Sequence, residues 1–181
     1  MSGEDSNLSI KQIKYMVNYH RANLLTKYTD SGRYTSGVMF QEYNIQNSGI
    51  VSFPSPILGW ANNRAIRAVT LFGNEGTSEE NTRTHVGLIQ KEDRSFFEAS
   101  RFAPNKNQIF AALNSDSSGL RVFTNDGQTF LDTTFDIRVI AVFAEPEKIS
   151  GMTKYPVPAE LVSSLIETVL VKEFGIYLST T

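Results

Sequence analysis

Cysteine is absent from this 181-residue chain, histidine occurs twice and tryptophan once. Without thiols there is no disulfide and no thiolate metal site, and the redox compartment stays open. A chain of this length buries roughly 70% of its unfolded surface, so it needs neither staple to fold. No apolar run approaches the roughly 20 residues that span a bilayer, and the opening MSGEDSNLS is polar, with no signal-peptide core. Such a chain is expected to assemble in a cytoplasm, without a membrane partner. Its net charge of −2 at pH 7 argues against nucleic-acid binding as a property of the whole molecule.

Catalytic signatures are missing too. The sequence holds no Gly-x-Ser-x-Gly elbow, no phosphate loop ending in Gly-Lys-Ser/Thr, no dinucleotide fingerprint and no His-Glu-x-x-His site. A nucleophile needs a base beside it. His20 reads as filler in a helix stripe and His85 as a strand-edge residue. Asn114 to Gly119 spaces oxygen side chains like a calcium loop, yet Asn125 stands where a bidentate glutamate is required. The loop therefore reads as a polar hairpin. Asp132, Asp136 and Glu145 could supply a carboxylate pair for glycoside hydrolysis, but nothing in their spacing singles them out. The expectation is a protein with no catalytic residue, no cofactor and no metal.

What is present is architectural. Ser9-Ile10-Lys11-Gln12 is a capping box at a helix start. Behind it Ile10, Ile13, Val17, His20 or Arg21, Leu24 and Tyr28 recur in steps of three and four, one face of a helix ending near Tyr28. Residues 31–63 are irregular, and Pro54 and Pro56 impose extended geometry. They read as an extended arm, with a short edge strand around Gly49 to Phe53. From Arg64 the stretches RAIRAVTLF, THVGLIQ, QIFAALN, LRVFT and FDIRVIAVFA are β-branched and aromatic, and each reads as a strand. Asn125-Asp126-Gly127 marks a turn. After Tyr155-Pro156-Val157-Pro158, Leu161, Val162, Leu165, Ile166, Val169, Leu170 and Phe174 form the apolar stripe of a second helix stopped by Gly175.

The expected fold is α+β, an antiparallel β-sandwich or barrel-like domain flanked by an N-terminal and a C-terminal amphipathic helix. Its expected parts are helix 1–30, arm 31–63, β-core 64–145, and linker with helix 146–181, in a single domain.

Lys11, Lys14, Asn18 and Arg21 form a second stripe, about 100° round the helix from the apolar one. Between residues 6 and 29 no acid offsets Lys11, Lys14, Arg21 and Lys27, whereas from residue 104 onward nine acids face six bases. A solvated helix face gains from i,i+4 pairs of opposite sign, and this one has none. The stripe is therefore expected to meet an acidic neighbour or a nucleic-acid backbone. Trp60, beside Asn62, Asn63 and Arg64, either plugs the junction of arm and sheet or forms a platform for carbohydrate or nucleic acid.

Ile13, Asn18, Arg21, Ala22 and Leu24, followed by Gly32-Arg33, fit a helix of the form Ile-x-x-x-x-Asn-x-x-Arg-Ala-x-Leu and its turn. Tyr155, Pro156, Pro158 and Leu161 fit a Tyr-Pro-x-Pro element leading into an apolar helix. In these two motifs the chain resembles the neck proteins of tailed bacteriophages, the head–tail connector or ring proteins, most closely those of crAss-like phages. The resemblance covers both ends; the β-rich middle carries no matching motif. It implies a non-enzymatic virion protein of the neck, forming homo-oligomeric rings around the DNA exit channel and contacting the portal and other neck or tail proteins. Lys11, Lys14, Asn18, Arg21, Arg33 and Trp60 are the expected interface residues. Reversing Lys14 and Arg21 to Glu is expected to impair assembly and spare the fold. The other class of function compatible with these residues is a β-sandwich module binding carbohydrate or peptide.

Overall fold

A computed structural model describes residues 9–30, 36–60, 64–89, 108–124, 128–149, 151 and 154–176. The chain forms two compact units, one made of residues up to Met39 with those from Pro156 onward, the other running from Phe40 to Tyr155. Residues from both ends of the chain thus share one unit, and the strands lie in the other.

Among the described residues, the unit from Phe40 to Tyr155 holds eight strands: β1 (Gln41–Gln46), β2 (Ile50–Ser52), β3 (Ile66–Gly73), β4 (Arg83–His85), β5 (Gly87–Ile89), β6 (Ile109–Leu113), β7 (Gly119–Thr124) and β8 (Phe135–Ala141). They make two four-stranded sheets, ordered β1-β8-β3-β4 and β2-β7-β6-β5. The first is antiparallel throughout. The second is mixed, because β5 pairs parallel with β6, while β6 and β2 run antiparallel to β7.

Strand β8 shows why these residues form sheet. Phe135, Ile137, Val139 and Ala141 are buried and alternate with half-buried Asp136, Arg138 and Ile140, the two-residue period of a strand with one face in the core. Val142 and Phe143 beyond it are both buried, as expected of a strand covered on both sides at its end. The β6–β7 connection is the polar hairpin read from Asn114 to Gly119. Asp116 Oδ1 accepts bonds from Ser118 N at 3.0 Å and Ser118 Oγ at 2.7 Å, closing an Asx turn.

Two strand readings change. THVGLIQ was expected as one strand; the chain instead leaves β4 in the first sheet and enters β5 in the second, with Val86 N–H bonded to Val69 O at 3.1 Å between them. The expected arm supplies a strand to each sheet: Gln41–Gln46 pairs along β8, and Ile50–Ser52 pairs with β7. Gln, Glu and Asn are depleted in strands, and they conceal β1, whose half-buried side is Gln41, Tyr43 and Ile45. The expected edge strand near Gly49 to Phe53 is β2. Arg33, Asn62, Asn63 and the Asn125–Gly127 turn lie outside the described residues.

Gly119 begins β7 where it crosses β2, and a Cβ there would lie 2.3 Å from Val51 O. Gly119→Ala is expected to push β2 away and cost about 2 kcal/mol, read as a lower urea midpoint. An unchanged midpoint would show that β2 shifts freely.

Candidate interaction surface

The other unit is built on α1 (Ile10–Asp30) and α2 (Ala159–Phe174). The capping box is made: Ser9 N–H donates to Gln12 Oε1 at 2.8 Å, and Gln12 N–H to Ser9 Oγ at 3.3 Å. At the far end of α2, Gly175 is left-handed at φ 64° and its N–H returns to Val171 O at 3.1 Å. That conformation is cheapest for glycine, so the helix stops there.

Three polar contacts join the helices. Tyr28 Oη donates to Glu160 Oε1 at 2.8 Å. His20 Nε2 lies 2.5 Å from Glu173 Oε1. Arg21 Nε donates to Pro156 O at 2.9 Å, just before α2. The late part of α1 thus meets the start of α2 and its middle meets the end, so the two run antiparallel. His20, read as stripe filler, is a buried link between helices, with Tyr19 edge-on at 5.2 Å between centroids.

The basic stripe splits. Lys11 and Lys14 are exposed, but Asn18 is buried and Arg21 is 0% exposed. Asn18, Arg21, Leu25 and Thr29, at steps of three and four, are the buried positions of α1 besides His20. The face assigned to a partner is, over its second half, turned inward. Reversing Arg21 to Glu is therefore expected to disturb the fold, because it would bury an acid against the Pro156 carbonyl, whereas the sequence alone led to the expectation that the fold would be spared. Trp60 is buried, at 8% exposure.

Apolar surface is unevenly shared. Eleven large apolar side chains are exposed among the described residues, and nine belong to this helical unit. Ile10, Ile13, Tyr15 and Tyr19 lie on α1, Val162, Ile166 and Phe174 on α2, with Val38 and Ile176 outside the helices. Among the described residues of the sheet unit, Ile50 and Leu131 are the exposed large apolar side chains. Periodicity could not separate the apolar positions that pack within the chain from those that stay open. The predicted α2 stripe buries Leu165 and Val169 and leaves Val162, Ile166 and Phe174 out.

The residues considered for catalysis have the following local partners. Asp132 Oδ1 accepts from Thr134 N at 3.0 Å and from Thr134 Oγ1, and Glu145 bonds Lys148 Nζ at 2.8 Å. Asp136 stands opposite Gln46 and Phe72 on the strands beside it. His85 is exposed at the end of edge strand β4. Among the described residues no three His, Asp or Glu side chains converge as metal ligands, and no helix is long and apolar enough to cross a membrane.

Glu160 heads α2, and its own backbone N–H, then the Tyr28 hydroxyl, hold its carboxyl below the ordinary value of 4.5. Because the folded-state value is the lower one, this stabilisation is complete above the unfolded value and is lost as pH falls through the folded one. Acid is thus expected to loosen the helix pair. The urea midpoint should fall between neutral pH and about pH 3, and fall less in Tyr28→Phe. Equal falls in both proteins would show that this contact does not contribute.

Compared with protein-family models and with curated proteins, the chain matches none.

Proposed function

We propose that this chain is a structural component of a tailed-phage virion, a head–tail connector or neck-ring subunit that acts through contacts with its own copies, the portal and other neck or tail proteins. The observation that carries the reading is the concentration of exposed apolar side chains on the helical unit. Large apolar side chains left exposed in number on one unit mark an interaction surface. The two motifs behind the resemblance also belong together in space, since Arg21 of the first bonds Pro156 of the second. In this reading the two sheets stack as a sandwich, and Tyr43, Phe53 and Phe143 pack edge-to-face between strands of both. Lys11 and Lys14 stay available to a partner or to passing DNA. The site of action is the virion neck, with assembly in the host cytoplasm, and neither cofactor nor chemistry is needed.

Sedimentation and negative-stain imaging of the purified chain, alone and with the portal, test this. Rings or portal-bound particles are the expected result. A strictly monomeric protein that also fails to join the portal would sink the proposal.

A further inference from the structure

α1 outruns its partner. His20 already meets Glu173, and α2 ends one residue later at Phe174. Ile10 lies ten residues before His20, about 15 Å further along the axis at 1.5 Å per residue. The apolar stripe of α1 continues through that overhang. Val17, Leu24 and Tyr28 are half-buried, whereas Ile13 is 41% and Ile10 is 74% exposed. Exposed Lys11 and Lys14 stand beside them.

α2 carries the complementary feature. Val162, Ile166, Leu170 and Phe174 follow steps of four and form one ridge. Leu170 is half-buried; the other three are exposed, Ile166 at 51%. Exposed Glu167 borders this ridge, and α2 as a whole carries Glu160, Glu167 and Glu173 against Lys172 alone. The overhang cannot reach the ridge of its own chain, because an antiparallel α1 runs past the C-terminal end of α2 and away from it.

We infer that the overhanging turns of α1, with Ile10, Ile13, Lys11 and Lys14, dock on the Val162–Ile166–Phe174 ridge of α2 in a second copy of this chain. The apolar residues pack as ridge into groove, and Lys14 faces the Glu167 side. The contact joins unlike surfaces, so it can be made reciprocally in a two-fold dimer or passed head to tail from copy to copy until rotation closes a ring. The inference rests on the reading of the chain as a self-assembling subunit, and it names the surfaces used.

Because the chain has no native cysteine, single-cysteine variants give a direct test. Protein carrying Lys14→Cys is mixed with protein carrying Glu167→Cys, and a short bis-maleimide linker is added. Linking across the two populations, and little within either alone, is the expected result. Links at 14–14 or 167–167 in place of 14–167 would set like helices against each other and overturn the inference. In a chain carrying both cysteines, linkage within one chain at high dilution would overturn it as well. Lys14→Glu and Glu167→Lys should each weaken self-association at least tenfold, and their combination in one chain should restore it. Circular dichroism would show both variants folded. Assembly that tolerates both reversals and Ile166→Ser would sink this pairing and leave the subunit reading standing. Absence of any wild-type assembly, alone or with the portal, would sink that reading itself. If short duplex DNA abolishes the cross-link and binds through Lys11 and Lys14, the lysines belong to nucleic acid and the pairing is wrong.

Discussion

Replacing Arg21 with alanine is expected to lower the stability of the helical unit by about 3 kcal/mol. The side chain is wholly buried and its Nε reaches Pro156 O at 2.9 Å. Its removal leaves a buried carbonyl without this donor and opens a cavity where the long stem was packed. Lysine keeps the charge but not the planar fork that places Nε on the carbonyl, so Arg21→Lys is expected to recover only part of the loss. Lys14→Glu changes an exposed position on the same stripe and should stay within about 0.5 kcal/mol of the parent. Urea unfolding followed by the far-ultraviolet helix signal distinguishes the three. An Arg21→Ala protein with the parent's midpoint would mean that the two ends of the chain are not held through this bond.

Phe143→Ala is the larger expected effect in the sheet unit, about 4 kcal/mol. Phe143 is completely buried, with its ring 5.6 Å from Phe53 and 6.4 Å from Tyr43. Its backbone bridges Ile57. The side chain therefore anchors the segment following β2 and one edge strand, β1. Edge strands have a single hydrogen-bonded neighbour and depend most on such packing. Hydrogen exchange should show β1 and β2 losing protection first in the variant, while β3 and β8 keep theirs longest. A loss under about 1 kcal/mol would mean that the surrounding rings collapse into the space.

Both effects bear on what could be read from residues alone. Strands β3, β6, β7 and β8 were legible because each alternates or runs apolar between turn residues, and β8 follows its predicted alternation residue by residue. Both helices were legible from their caps and periods. Strand β1 was hidden because its outward side chains, Glu42, Asn44 and Gln46, carry little strand propensity. Its pairing comes from β8, almost a hundred residues away. The split of THVGLIQ into two sheets was equally invisible, since nothing local at Val86 marks the change of partner.

The candidate surface divides the same way. That α1 bears an apolar stripe and a cationic one follows from sequence spacing, and so does the apolar character of α2. Which stripe turns inward does not follow, because side-chain type alone does not decide burial. A guanidinium can be buried where a carbonyl is aimed at it, and an isoleucine can stay in water where no neighbour reaches it. Arg21 went inward because Pro156, just before α2, presents its carbonyl oxygen to it. Ile10 and Ile13 stayed out because α2 ends before reaching them. Composition and periodicity determined the elements and the absence of the familiar catalytic motifs. The tertiary structure alone decided which charges are internal bonds and which apolar side chains remain open to a partner, because only long-range contacts determine which groups leave water.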